Sequence, residues 1–233
     1  MALRIGIFGR GRLGSAVAAA VDAADDLDLA WTTGREGAPA DLPVDVALDL
    51  SSADGVPGHL AWAAETRTDL VIGATGWDRG LVSDAGPEEF GVLTAPNFSL
   101  SVALMRRLAL VLGRYADASP ESADLAVSEV HHTRKVDAPS GTAVLLQHAL
   151  AEGAARNAAA VQTASLRLGT VVGRHEVHYE TPSESIVLSH QAHTREVYVP
   201  GALAAVRWLR GRTGLHTFDD LAADLLDPLL AKP

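Results

Sequence analysis

Cysteine is absent from the 233-residue chain, which removes disulfides, thiolate metal sites and cysteine nucleophiles from consideration. Lysine is scarce as well: Lys135 and Lys232 are the only two, Lys232 is next to the last residue, and arginine carries the remaining positive charge. No run of about eighteen apolar residues is present to span a bilayer. Positive charge is itself in deficit, 19 basic against 29 acidic residues for a net charge of −10. That balance argues against nucleic acid or an anionic membrane as partner, and an anionic ligand must be drawn in by a local positive pocket. The N-terminus runs into a strand without the charged and apolar regions of a signal peptide, so a cytoplasmic location is expected. The length suits one compact unit or two small lobes.

What is there centres on Glu129-Val130-His131-His132-Thr133-Arg134-Lys135-Val136-Asp137-Ala138-Pro139-Ser140-Gly141-Thr142. Two adjacent imidazoles and the only interior lysine fall within five residues, and a Pro-Ser-Gly-Thr turn then opens a helix whose free N–H groups can hold an anion. Unlike a guanidinium, a buried ammonium can give up a proton near neutral pH. The stretch therefore suits an acidic molecule with protons to move. The bland reading of Ser140 is an N-cap, which is compatible with facing a ligand.

Arg4-Ile5-Gly6-Ile7-Phe8 reads as a buried strand, followed by Gly9-Arg10-Gly11-Arg12-Leu13-Gly14 and an alanine-rich helix. This is Gly-x-Gly-x-x-Gly in a strand-turn-helix setting: Gly9 makes the turn, Gly11 admits a pyrophosphate to the backbone, and Gly14 lets helix meet strand. After a second strand over 27–31 the sequence is Thr32-Thr33-Gly34-Arg35-Glu36. An acidic residue there binds a free ribose 2′-hydroxyl and an arginine binds a 2′-phosphate. Arg35 comes first, so NADPH is the expected cofactor, with Arg35, joined by Arg10 or Arg12, on the phosphate; Glu36 keeps NADH open. Further strands over 44–50, 69–73 and 91–94, with a weak helix over 53–66, predict a Rossmann-type doubly wound parallel sheet with its ligand at the strand C-terminal ends.

Residues 99–115 read as a long amphipathic helix, and 125–130 as a strand that delivers His131 and His132 to opposite sides. Strands over 166–168, 176–179, 185–189 and 195–199 complete an α+β unit with an open mixed sheet, covered by helices on one face. Helices follow over 201–210 and 219–230, the second with a capping-box pattern of Thr217 and Asp220. No metal site is expected: His175 and His178 are three apart on a strand, so they face opposite ways, and no His-Glu-x-x-His exists.

The stretch from Glu129 to Thr142 resembles the signature of the dihydrodipicolinate reductase family, also called 4-hydroxy-tetrahydrodipicolinate reductases, of diaminopimelate and lysine biosynthesis. Gly73-Ala74-Thr75-Gly76-Trp77 resembles the family's Gly-Thr-Thr-Gly-Phe, and Ala95-Pro96-Asn97-Phe98-Ser99 its Ala-Pro-Asn-Phe-Ser. The resemblance implies NAD(P)H-dependent reduction of a small cyclic dicarboxylate. It implies His131 as acid/base, His132 as substrate ligand, Lys135 as a further proton donor, and Ser140, Gly141 and Thr142 on a substrate carboxylate. Gly73, Ala74 and Thr75 with Ala95, Pro96, Asn97 and Phe98 would line the nicotinamide and its ribose. It further implies a discontinuous dinucleotide-binding domain of residues 1–99 and 200–233, a substrate-binding and oligomerisation domain of residues 100–199, and a homotetramer. The chain departs from the family in the closer spacing of its first two glycines, in Ala74 for a hydroxyl residue, in Gly34 where members carry a glutamate, and in Thr170. The rivals are an NADP-dependent dehydrogenase of another small carboxylate, a non-catalytic dinucleotide sensor and a metal hydrolase. The first needs a different polar constellation, and the second leaves His131, His132 and Lys135 unexplained.

Overall fold

The structure is a computed structural model that describes residues 2–34, 37–39 and 42–231. It forms two compact units, one running through Ser99 and resuming at Glu196, the other Leu100–Arg195. In the first, apolar runs become strands: β1 (Leu3–Phe8), β2 (Leu27–Thr33), β3 (Val46–Asp49), β4 (Asp69–Ile72) and β5 (Gly91–Thr94), separated by α1 (Arg12–Asp22), α2 (Val56–Thr66) and α3 (Gly80–Ala85). Every residue of β3, β4 and β5 is buried, the pattern of a parallel strand covered on both faces. A proline in the first turn of α2 suits that position, where a missing N–H goes unneeded.

The second unit contains α4 (Leu100–Ala118), β6 (Asp124–His131), α5 (Gly141–Gly153), β7 (Gln162–Arg167), β8 (Gly173–Glu180) and β9 (Ser185–Ala192). Its sheet has the order β7-β6-β8-β9, with β6 parallel to β7 and the other pairs antiparallel. Alternation along the strands sends Leu125, Val127, Val177 and Tyr179 to the face covered by α4 and α5, where they join Met105, Leu112, Leu146 and Leu150 in one core. The opposite face carries Ser128 and His178, whose hydroxyl and Nε2 are 2.9 Å apart, and the exposed Val187.

The chain then returns to the first unit through a 3-10 turn, Arg195–Tyr198, followed by α6 (Val199–Leu209), β10 (Gly214–Thr217) and α7 (Phe218–Leu230). The strand expected over 195–199 is absent. Val197 and Val199 favour a strand by composition, but a proline in the first turn of α6 starts a helix instead. The short, polar β10 was not anticipated; it pairs parallel with β5 as the sixth strand. The all-parallel order is β10-β5-β4-β3-β1-β2. From β1 the chain goes to β2 on one side and then to β3 on the other, so the order reverses at β1 and β3, the point where such sheets bind ligands. The capping box forms: Thr217 Oγ1 accepts from Asp220 N–H at 3.3 Å, and Asp220 Oδ2 accepts from Thr217 N–H at 2.7 Å. Among the described residues no helix is long and apolar enough to cross a membrane.

The second unit depends on close approach of α4 and α5. A Cβ at Gly113 would lie 2.3 Å from the Leu150 carbonyl oxygen, and one at Gly153 would lie 2.2 Å from that of Leu110. Either Gly113→Ala or Gly153→Ala must push the helices apart, at a cost of about 1–3 kcal/mol. Urea unfolding measures this, and an unchanged midpoint in both variants would contradict the packing described.

Candidate active site

At the C-terminal edge of the parallel sheet the hydrogen-bond ladder runs one residue past each strand. Gly9 N–H donates to Thr33 O, Leu50 N–H to Phe8 O, Gly73 N–H to Asp49 O and Ala95 N–H to Ile72 O, each at 2.8 Å. Residues far apart in sequence thus emerge side by side. Gly9 has φ +111°, in the region that favours glycine, and a Cβ at Gly14 would lie 2.0 Å from Gly9 O. A Cβ at Gly11 would meet nothing within 4 Å. The turn needs glycine at 9 and 14 for its own shape, while Gly11 leaves open the space over the first turn of α1, where a dinucleotide pyrophosphate fits. Arg10 donates from Nε (3.2 Å) and Nη2 (2.9 Å) to Thr32 O. Arg12, exposed, starts α1 and Leu13 is half-buried.

A cavity of about 590 Å³ lies at this edge, lined by residues that include Gly9, Arg10, Gly11, Gly34, Ser51 and His59. Arg35 and Glu36, the expected 2′-phosphate and ribose ligands, lie outside the described residues. Ala74 O accepts from Trp77 Nε1 at 2.9 Å, and Thr75 is exposed. Asn97 Oδ1 accepts from Ser99 N–H at 2.8 Å, Pro96 is exposed, and buried Phe98 packs where a Cβ on Gly73 would be 2.5 Å from its ring. Sequence reasoning missed Asp49, which is fully buried at the end of β3. Its Oδ1 accepts from Ser51 N–H (3.0 Å) and Oγ (2.5 Å), and its Oδ2 is 2.7 Å from His59 Nδ1. The His59 ring in turn stacks on Phe8 at 3.8 Å. An aspartate ending an apolar strand was the available signal.

In the second unit, β6 carries Glu129 and His131 on the helix-covered face. Register places Ser165, Glu129, His175 and His190 in one row across the four strands, with His131 and Arg167 paired in the next row on the same side. Glu129 is buried, bonds His131 Nδ1 through Oε2, and accepts through Oε1 from Arg167 Nη1 (3.0 Å) and Ser140 N–H (3.3 Å). Burial pushes the Glu129 carboxyl up, but hydrogen bonds from Ser165, His131 and Arg167 outweigh it and hold the group below its usual range. Burial pushes the His131 imidazole below its ordinary value against the opposing pull of Glu129. The His131 ring meets that of His175 edge to face at 5.1 Å.

His132 follows the strand, and its buried Nδ1 has no hydrogen-bond partner among the described residues. Lys135 Nζ is 2.8 Å from Asp137 Oδ1, and that hydrogen bond holds the Asp137 carboxyl below the usual carboxylate range. Ser140 is 2% exposed; its Oγ caps α5 by accepting from Ala143 N–H at 3.2 Å and lies 3.2 Å from His175 Nε2. Gly141 is exposed on the first turn of α5, and Thr142 is half-buried beside it. One end of the mixed sheet thus gathers an imidazole, an ammonium-bearing loop and a helix N-terminus, a set able to hold a carboxylate and deliver a proton. Among the described residues no cluster of three His, Asp or Glu side chains is placed to hold a metal ion.

Two family models match the chain, one described as dihydrodipicolinate reductase, N-terminus, over residues 3–98, the other as its C-terminus over residues 100–222. The chain belongs to the dihydrodipicolinate reductase family. A relative in this family, the 4-hydroxy-tetrahydrodipicolinate reductase of Gluconobacter oxydans, is 39% identical over 93% of this chain and 96% of its own. That of Nocardia farcinica is 32% identical over 97% of this chain and 100% of its own. The solved structure of dipicolinate-bound dihydrodipicolinate reductase from Paenisporosarcina sp. TG-14 shares the fold, with a TM-score of 0.77 at 22% identity over 93% of this chain and 98% of that one. Dihydrodipicolinate reductases use NAD(P)H, and the open cradle at Gly11 fits a dinucleotide.

Arg167 and His175 are the other polar residues that sequence reasoning left without a role, because only strand register brings them to Glu129 and Ser140. Burial pushes the His175 imidazole down to about 4. Between that value and the ordinary value near 6.5, the unfolded chain takes up a proton that the folded chain refuses, so stability is complete above about pH 6.5 and falls as pH drops toward 4. The loss is on the order of 3 kcal/mol. Urea unfolding from pH 7 to 4 should show a steeper fall for the wild type than for His175→Gln; parallel curves would contradict the burial. Gly11 has φ −71°, open to alanine. Gly11→Ala should keep the melting temperature within about 2 °C and weaken NAD(P)H binding at least about tenfold; unchanged affinity by fluorescence titration would remove Gly11 from the cradle.

Proposed function

We propose that the chain reduces 4-hydroxy-tetrahydrodipicolinate, or the dihydrodipicolinate formed from it, to tetrahydrodipicolinate with NAD(P)H, a step of diaminopimelate and lysine biosynthesis. The observation that carries this reading is the end of β6, where His131 on buried Glu129, the Lys135 loop and the N-terminus of α5 converge within one family-matched unit. In this reading the first-turn amides at Gly141 and Thr142 hold one substrate carboxylate, with Ser140 capping the helix beneath them. His132, whose buried Nδ1 has no hydrogen-bond partner among the described residues, contributes a hydrogen bond to the substrate. Lys135 offsets charge on the dicarboxylate.

When bound, NAD(P)H supplies the hydride. Gly11, Arg10 and Arg12 hold its phosphates on the turn that Gly9 and Gly14 shape, and the turns at Gly73 and Ala95 line its nicotinamide half. Addition of a hydride to the conjugated ring of an unsaturated imine leaves an electron pair that takes one proton from His131 or Lys135. General acid catalysis of this kind is worth about a hundred- to ten-thousand-fold. NADPH is preferred over NADH in this proposal. Gly34 brings no carboxylate to the cavity and Arg10 stands at its edge, which supports the reading, with Arg35 as the further phosphate ligand and Glu36 leaving NADH usable. A homotetramer assembled through the sheet face opposite α4 and α5 belongs to the same proposal, and light scattering should give four times 24.3 kDa.

Loss of absorbance at 340 nm tests the function, with NADPH and NADH in turn and substrate made in place from pyruvate and aspartate semialdehyde by the preceding synthase. Synthase-dependent oxidation, faster with NADPH, is expected. No oxidation with either cofactor despite tight binding would overturn the reading in favour of a dinucleotide sensor. His131→Ala should lower turnover at least about a hundredfold with little change in NADPH affinity; equal losses in both would remove His131 from the acid role.

A further inference from the structure

His131 and Lys135 both lean on buried charges that take no part in the proposed proton transfer. Glu129 has no access to water, and its two oxygens are divided. Oε2 faces His131 Nδ1, while Oε1 receives the Arg167 guanidinium and the backbone N–H of Ser140. From there the guanidinium reaches the loop: Nη2 donates to Asp137 O at 2.5 Å and Nε to Lys135 O at 3.3 Å, the carbonyls on either side of Val136. One cation therefore bridges the carboxylate beside the imidazole and the backbone that carries the ammonium.

We infer that Glu129 and Arg167 are a positioning pair: Glu129 fixes which nitrogen of His131 carries the proton, and Arg167 holds the Lys135 loop in register with it. The geometry stands by itself; its catalytic meaning rests on the proposed reduction. An ionised carboxylate only accepts hydrogen bonds, so the nitrogen facing it must donate. Neutral His131 is then protonated on Nδ1 and leaves Nε2 as the nitrogen that exchanges a proton with substrate. Nε2 lies against Gly173, where a Cβ would come within 3.1 Å and crowd it. The charged and titratable groups around the ring are Glu129, Lys135, Arg167 and His175, and among them only the Glu129 carboxylate favours the imidazolium. A buried ion pair is in general a poor source of stability compared with an apolar pair of the same volume, which directs attention to what this one orients.

The decisive variant is Glu129→Gln, which keeps the shape and replaces one acceptor oxygen with an NH₂ donor. Arg167 and the Ser140 N–H can bond only the remaining oxygen, so the NH₂ must face His131 Nδ1 and turn it into an acceptor. Long-range ¹H–¹⁵N correlation of the histidine rings in the full-length protein reads this directly, with the His131 signals identified by their loss in His131→Asn. We expect Nδ1–H in the wild type and Nε2–H in Glu129→Gln. The kcat of the variant should fall on the order of a hundredfold, and the alkaline limb of its pH profile should move to lower pH because the group that favours the imidazolium is gone. Arg167→Lys keeps a cation beside Glu129 but loses the fork to the two carbonyls. It should retain Nδ1–H and the position of the limb while raising KM.

A wild-type ring protonated on Nε2 overturns the inference without any variant. So does a Glu129→Gln protein whose activity falls while the tautomer and the pH limb stay as they were. Absence of synthase-dependent NAD(P)H oxidation in the wild type would be the failure of the proposed reaction, and the ring-nitrogen measurement would still decide the pair.

Discussion

A carboxylate sealed from water must find donors, and much of the second unit is arranged around how Glu129 finds them. Its partners come from a position two residues along its own strand, from the neighbouring β7 and from the helix start at Ser140. To supply them, β7 must run parallel to β6 in the register that pairs His131 with Arg167, and α5 must begin where its cap lies beside β8. The helix then needs a close seat on α4, which the reciprocal glycines at 113 and 153 provide. Removing either partner of such a network leaves an uncompensated buried charge, the costly direction for an ion pair.

The first unit answers to a different constraint. A parallel sheet buried on both faces offers its polar backbone to ligands only at strand ends, and the described candidate ligand residues of this unit sit at one edge. The tight turn after β1 is shaped by a left-handed Gly9 and a helix packed against it at Gly14, so the first amides of α1 face the open space at Gly11. Asp49 gives the neighbouring strand end its own anchor, tying Ser51 and His59 to the wall of the same cavity. In the proposed function, anion binding there follows from backbone direction, and Arg10 in the cavity lining adds to it.

Local chemistry was legible in the sequence and register was not. The glycine pattern after β1, the capping box at Thr217 and the imidazole pair before Ser140 are each encoded within a few residues, so their physics can be read without the fold. The glutamate two positions before His131 lay in view, and alternation along a strand put both on one face. Arg167, 38 residues beyond Glu129, and His175, 35 beyond Ser140, reach the site only through strand pairing, which no local pattern fixes. The same reason hid β10: four residues with a glycine and a histidine carry almost no strand signal, and pairing with β5 makes them one. The segment over 195–199 failed the other way, because its valines suggested a strand and the proline after them decided for a helix.

In the proposed reaction this chain transfers a hydride from the nicotinamide to a cyclic imine dicarboxylate. Mass spectrometry of the product formed with a cofactor deuterated at both C4 positions of the nicotinamide, in ordinary water, tests it most directly. Tetrahydrodipicolinate carrying one carbon-bound deuterium per molecule is expected. Unlabelled product, or labelled cofactor recovered unchanged beside untouched substrate, would contradict it.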